Sequence, residues 1–443
     1  ALTRIDRFVC DIKESQFGDG LHVFGRQTNL QTEFETQESV LAEQQSIRQA
    51  LSGQRIEAGP SGSPYRGRKD VLPSGRNLFA TDPLSVPTRA AHAQGVRLAE
   101  EFIRRYLQDH GDWPSGVIVD LWGSATMRTA GEEFAMALHL LGVRPVWTEG
   151  TERVSGFEIL PLPLLDRPRI DVTLRVSGLF RDVFPSLSGL YQQAVEALAE
   201  RPETPDWNPY MASSETARIY GPAPGSYGLG MGAAAEQFSD AGRQAAADAW
   251  LEASSYALNA EGSFQDKQGI QNRVAQADSF IHLQDLPETD LLLSADYAAH
   301  EAGFAAAKAA VGGQAALYHI DNTNPDTPAA RSLSEEIARV VYARASNSGW
   351  LAGMQRHGFR GAAEIAATLM HMAAFANLAG VVGPQLFDSY HDATLGDEAI
   401  VQFMATHNPD ALAAMRDCFR QLYEAGLWQT RRNSIPDQLE AFA

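Results

Sequence analysis

The chain has 443 residues, 44% hydrophobic and 21% charged, the balance of a globular protein with room for two or three cores. Its formal charge of −19, from 36 basic and 55 acidic residues, repels phosphate backbones and anionic headgroups, which argues against nucleic-acid binding. Two cysteines, Cys10 and Cys418, exclude a disulfide framework or a cysteine-rich metal site, and no apolar run approaches the roughly 18–20 residues of a membrane span.

No charged-then-apolar leader opens the sequence, and the low cysteine content fits a reducing, cytoplasmic setting. The first residue is Ala rather than Met, as in a processed chain or a piece of a longer one. Residues 1–36 read as polar and mixed, with a short strand or turn at "DGLHVFG" (19–25). Helical spacing follows over 38–51, and then "EAGPSGSPYRGRKDVLPSGRN" (57–77), whose prolines and glycines break helix and strand alike. These elements make a loop-rich segment, 1–87.

From 88 the pattern alternates. A helix ends at Gly111, "GVIVDLW" (116–122) is a buried strand, and a helix over "TMRTAGEEFAMALHLLG" precedes strands at "RPVWTE" and "RIDVTLRVSG". A further helix carries Pro185 in its first turn or at a break. Helices alternating with buried strands imply a Rossmann-like parallel sheet covered on both faces, over 88–204. Beyond it, 205–443 reads as mostly helical, with helices over 232–254, 294–310, 330–346, 361–379 and 409–426. The fold class is therefore multi-domain α/β: a Rossmann-like unit followed by a mostly helical region.

Several stretches carry chemistry. "YGPAPGSYGLGMG" (220–232) has GxGxG spacing and prolines upstream, so it reads as a structured loop shaping a pocket wall and not as a dinucleotide fingerprint. There is no GxxxxGK[ST], no HExxH and no G-x-S-x-G, which speaks against ATP hydrolysis, metalloprotease and esterase chemistry. "FIHLQDLPETDLL" (280–292) sets His282 three residues from Asp285, and "YHIDNTNPDTP" (318–328) puts His319 and Asp321 on one side of an extended segment. Either pair is a metal-handling site or a hydrogen-bonded turn. The arginines of "RGRK" and "RHGFR" suit the carboxylates of a ligand or a solvated surface.

Taken together, these stretches resemble the carboxy-terminal part of the large, CobN-type subunit of aerobic cobaltochelatase, and more distantly the H subunit of magnesium chelatase. The resemblance runs through "IKESQFGDGLHVFG" (12–25), "AGPSGSPYRGRKDVLPSGRNLFATDPLSVPTRAA" (58–91), "LWGSATMRTAGEE" (121–133) and "RPRIDVTLRVSGLFRDVFP" (167–185). It continues through "ARIYGPAPGSYGLG" (217–230), "HLQDLPETDLL" (282–292), "YHIDNTNPDTP" (318–328) and "GWLAGMQRHGFRGAAEIAA" (349–367). It implies a subunit that binds a metal-free tetrapyrrole and inserts Co²⁺ into hydrogenobyrinic acid a,c-diamide on the route to cobalamin. ATP and Mg²⁺ would be used by separate AAA+ ATPase partners, in keeping with the missing P-loop.

Under that resemblance, His282 and Asp285 are the leading candidates for proton transfer and transient metal contact, followed by His319 and Asp321 as metal ligands. Leu293 and Ala295 stand where the family is usually acidic, which ranks Asp296 and His300 below them. Arg68, Arg76, Asn77, Arg218, Tyr227, Arg356 and His357 are candidates for substrate contacts. The alternatives are a magnesium-porphyrin subunit and, from another class, a non-catalytic tetrapyrrole carrier that recruits the ATPases.

Overall fold

A computed structural model describes residues 2–15, 24–26, 37–60, 69–79, 82–212, 217–259 and 261–435. At its centre stands an eight-stranded mixed sheet. In chain order its strands are β1 (Gly116–Leu121), β2 (Asp171–Val176), β3 (Ile219–Gly221), β4 (Tyr256–Asn259), β5 (Gly262–Gln265), β6 (Ser279–Gln284), β7 (Ala316–Asp321) and β8 (Ala329–Ser332). The spatial order is β8-β7-β6-β1-β2-β3-β4-β5. The five strands from β7 to β3 run parallel, while β8 pairs antiparallel at one edge and the β3–β4 and β4–β5 pairs are antiparallel at the other.

The α/β expectation holds, but the sheet is larger than the sequence suggested. Leu174 of β2 pairs with Ile219 of β3, so the boundary expected at 204 falls inside one hydrogen-bonded sheet. In 205–443, β3, β4, β5 and β8 have four residues or fewer, and β6 and β7 are separated by the Ala-rich helix Gly303–Val311. That is why the helical pattern dominated the reading.

Alternation along the strands separates two cores. Val117, Val119, Leu121, Val172, Leu174, Ile281 and Leu283 face one layer, with helices Arg89–His110, Glu132–Leu141 and Pro185–Ala199. Ile118, Tyr220, Ala257 and Phe280 face the other, built on Asp240–Glu252, Gly303–Val311, Leu333–Val340 and Gly358–Ala379. At roughly 25 cal/mol per Å² of apolar area, these two layers are the main drive to fold.

Local signals place the helix ends. Thr88 Oγ1 accepts from the Ala91 N–H at the start of Arg89–His110, and Gly111 closes it at φ 77°. Pro185 takes the first helical position, where its missing N–H costs nothing. The helix expected from 232 begins at Asp240, because Ser239 Oγ caps the Gly242 N–H. The one expected from 330 begins at Leu333, behind a reciprocal Ser332–Glu335 capping box, while 329–332 pairs with β7 as an edge strand.

A helix at Leu2–Glu14 occupies part of the segment read as irregular. The "DGLHVFG" expectation lies largely outside the described residues. Gly358–Ala379 is long and apolar enough to cross a membrane by length and composition alone, and two-thirds of its apolar window is buried in the second core.

Candidate functional site

The chain leaves β1 toward β2 on one side and returns through β6 on the other, so β1 and β6 are neighbours at a topological switch point. Outside the carboxyl ends of such strands the two connections diverge and leave a crevice. On the face carrying Ile118 and Phe280, four polar residues are register partners across adjacent strands: His319 opposite His282, His282 opposite Asp120, and Asp120 opposite Arg175. They form one lateral row from β7 to β2. All four are at most 2% exposed.

Asp120 is the hub. Its Oδ2 accepts from Trp122 Nε1 (2.7 Å) and His282 Nδ1 (3.1 Å) and lies 2.8 Å from His300 Nδ1, and its Oδ1 accepts from Arg175 Nη1 (3.3 Å). Burial alone would raise this carboxyl. The His300 and His282 contacts and the Arg175 charge more than offset it and hold Asp120 well below the usual carboxylate range. Burial keeps His300 below the ordinary imidazole value, with Asp120 opposing and Arg175 reinforcing the shift. At neutral pH, then, Asp120 is an anion and His300 is neutral.

A carboxylate only accepts, so the Nδ1 of His282 carries a hydrogen, whereas the Nδ1 of His300 also lies 3.1 Å from each of two obligate donors, Trp122 Nε1 and Arg175 Nη1. The Nε2 of His282 has no hydrogen-bond partner among the described residues. Rings of Trp122 (4.7 Å) and Tyr297 (5.4 Å) pack against the imidazole.

His282 opens on a pocket lined also by Asp120, Trp122, Ala125, Thr129, Glu133, Leu283, Asp285 and Asn322. Its volume of about 10 Å³ suits one water and not a macrocycle. Glu133 accepts from Thr126 Oγ1 (2.7 Å) and Thr129 Oγ1 (2.8 Å), and burial raises its pKa. The wall therefore joins the imidazole of His282 to a carboxyl that takes up a proton more readily than a solvated one.

The other sequence candidates are placed differently. Both oxygens of Asp285 are held by Arg128, at 2.7 Å from Nε and 2.9 Å from Nη2. His319 contacts the Glu301 carboxylate through Nδ1 (3.0 Å) and the Gln284 amide oxygen through Nε2 (3.0 Å). The Gln284 amide nitrogen donates to two backbone carbonyls, which fixes its oxygen toward the ring. With an acceptor at each nitrogen the ring is a cation. Burial opposes this, and Glu301 outweighs it to raise the pKa. A doubly protonated ring has no lone pair for a metal, which is the physical case against the ligand role expected of His319. Asp321 accepts from Thr323 N–H and Oγ1 and pairs with Arg331. Among the described residues, no group of three His, Cys, Asp or Glu side chains is arranged to hold a metal ion.

Arg218 lies at the opposite, amino-terminal edge of the sheet, buried in a forked pair with Asp171 (2.6 and 3.2 Å). Its position accounts for it as a strut and not as a substrate contact. Arg76 donates to the carbonyls of Pro73, Asp70 and Leu72 and so organises its own loop. Asn77 begins the short strand Asn77–Phe79, and Arg68 lies outside the described residues. Arg356 ends the helix Ser348–Gln355 on the surface, and half-buried His357 precedes Gly358–Ala379. Tyr227 is exposed at the carboxyl edge, its hydroxyl donating to Asp182 (2.5 Å). The loop around it turns through positive φ at Gly225, Gly228, Gly230 and Gly232.

Asp120, Trp122, Arg175, Glu133 and His300 were not singled out as first choices. One signal was present: an Asp inside a strand otherwise fully apolar must have buried partners.

Over residues 28–435 the chain matches the family model described as CobN/Magnesium Chelatase. It is 42% identical over 410 residues to the aerobic cobaltochelatase subunit CobN of Pseudomonas aeruginosa, covering 88% of this chain and 33% of that one. Against the magnesium-chelatase H protein of Rhodobacter capsulatus it is 27% identical over 444 residues, covering 93% and 37%. The solved catalytic subunit of cobaltochelatase from Mycobacterium tuberculosis superposes with a TM-score of 0.86 at 34% identity, over 91% of this chain and 36% of that one. The chain thus spans about a third of the length of the curated relatives.

Proposed function

The chain belongs to the CobN/magnesium chelatase family, and from that premise we propose that it forms the proton-accepting wall of a cobaltochelatase large subunit. The activity is formation of nitrogen–metal bonds: Co²⁺, as substrate, enters hydrogenobyrinic acid a,c-diamide. AAA+ ATPase subunits drive the cycle with ATP and Mg²⁺. The observation that carries this reading is the Asp120-bound imidazole of His282, with Nε2 unpartnered among the described residues at the switch-point pocket.

The chemistry requires such a group. A ring N–H bond must break before a divalent ion can occupy the macrocycle, and the ring nitrogen keeps the electron pair. A neutral imidazole near the ring accepts one proton and becomes a cation facing Asp120. Glu133, lining the same pocket, is placed to take part in the transfer. A one-water pocket cannot enclose the macrocycle, so the ring lies across its mouth. The facing wall comes from the remaining length seen in the relatives.

Metal contact is assigned to no fixed ligand set. Asp285, His319 and Asp321 are each held by other side chains, and a closed set would trap the ion. Exposed Tyr227, and Arg356 with His357, remain proposals for the ring's periphery.

The test has two parts. Titration of the chain with hydrogenobyrinic acid a,c-diamide, beside protoporphyrin, is read from the macrocycle's absorbance, and selective corrin binding is expected. In the full-length protein with its ATPases, His282→Ala should slow cobalt insertion by about 10²–10⁴-fold, the usual loss for a positioned acid–base group. Tight ring binding with unchanged insertion would point to the carrier alternative.

A further inference from the structure

We propose that Asp120 is a positioning residue: it holds His282 as the Nδ1–H tautomer, so that the Nε2 of the neutral ring meets the pocket as a base and not as a donor. The inference deepens the proton-accepting reading of this site and rests on it for its chemical purpose. Its geometry stands independently.

Four nitrogen atoms surround the Asp120 carboxylate. Arg175 Nη1 lies 3.3 Å from Oδ1, so that oxygen is turned toward the guanidinium. Arg175 is itself 1% exposed, and its Nε lies 3.3 Å from Ser254 Oγ, which ties the guanidinium in place. Oδ2 is left to Trp122 Nε1, His300 Nδ1 and His282 Nδ1, at 2.7, 2.8 and 3.1 Å. An indole nitrogen can only donate. Its presence fixes Oδ2 as an acceptor, and His282, whose Nδ1 meets no other partner among the described residues, must present a hydrogen to it.

Register makes the arrangement rigid. Asp120 is the Cα partner of both His282 and Arg175 on flanking strands, so three of the five groups are placed by sheet hydrogen bonds and not by flexible loops. His300 comes from a π-helical turn, Ala298–Ala302, which bulges the helix toward the sheet. Trp122 follows β1 directly and packs against both imidazoles, at 4.7 and 4.9 Å.

A fixed tautomer matters because an imidazole with Nε2–H would donate toward the ring nitrogens it should deprotonate. In the Nδ1–H form the ring N–H bond breaks and its pair stays on the ring nitrogen. The proton joins the Nε2 lone pair, and the new positive charge faces Asp120.

The test is a two-bond ¹H–¹⁵N correlation spectrum of the whole chain labelled with ¹⁵N-histidine, recorded at pH 7.5. His282→Gln and His300→Gln identify the two signals by their loss. The inference expects a lone-pair Nε2 shift and a protonated Nδ1 shift for His282. Asp120→Asn should reverse His282: Arg175 keeps the amide oxygen, and the amide nitrogen then donates to Nδ1. An Nε2–H pattern in the unsubstituted chain overturns the inference, and so does an unchanged tautomer in a folded Asp120→Asn chain. Should that variant fail to fold, the unsubstituted spectrum decides alone. Ring binding is read separately from the macrocycle's absorbance, so its failure removes the chelatase reading without moving the tautomer.

Discussion

At His319 and His300, two buried imidazoles share one core and are driven in opposite directions. Burial lowers both, but the Glu301 carboxylate at 3.0 Å wins at His319, whereas at His300 desolvation and Arg175 win over Asp120. The signs differ accordingly. A raised folded pKa at His319 gives stability that is complete below the unfolded value of about 6.5 and lost as pH rises through the folded value. A lowered pKa at His300 works the other way, costing stability as pH falls below about 6.5. His319→Gln should therefore destabilise the chain more at pH 6 than at pH 9, as measured by urea midpoints. Equal losses at the two pH values would mean that Glu301 does not hold a charged ring.

The residue scale also shows what could be read in advance. His282 and Asp285 stood out because they are polar within an apolar stretch. Asp120 shares that property but sat in a run short enough to be read only as a strand. His300 was ranked low because its neighbours Leu293 and Ala295 were the guide, yet its role depends on a helical turn that no local spacing announces.

Among the elements, close approach decides more than propensity. A Cβ on Gly123 would lie 2.5 Å from the Phe180 backbone nitrogen, where the helix after β1 meets the helix after β2. Backbone cannot yield as a side chain tip does, so Gly123→Ala should cost about 1–3 kcal/mol, the range for overpacking. It should also disturb Trp122, its chain neighbour in the pocket wall. Gly156→Ala is the control: a Cβ there meets nothing within 4 Å, and its change should stay within about 0.5 kcal/mol. Equal midpoints for both variants would refute the close-packing argument. Most helices were legible because their apolar spacing runs for three turns or more. The edge strand 329–332 was not, since its pairing partner β7 lies across a turn and its own four residues carry no clear alternation.

For the whole molecule, the expected units 88–204 and 205–443 share one sheet, and Ile118 of the former belongs to the core of the latter. A fragment of residues 88–204 should not fold alone, because β1 and β2 would lose β6 and β3 and expose two unpaired edges. Circular dichroism and limited proteolysis check this; a protease-resistant fragment ending near 204 would restore the two-unit view.

The polar row across the strands has one more consequence, for how the chain finds its pairing. Apolar strands can slide past one another at little cost, because one Val or Ile resembles the next. Shifting β6 by a single residue would turn His282 into the aliphatic layer and set Ile281 or Leu283 beside a buried carboxylate. The penalty of an unpaired buried charge then falls on every misaligned arrangement and spares the correct one. The same four side chains therefore act as a key for alignment, and the pocket can exist only in a molecule whose strands have already locked in step.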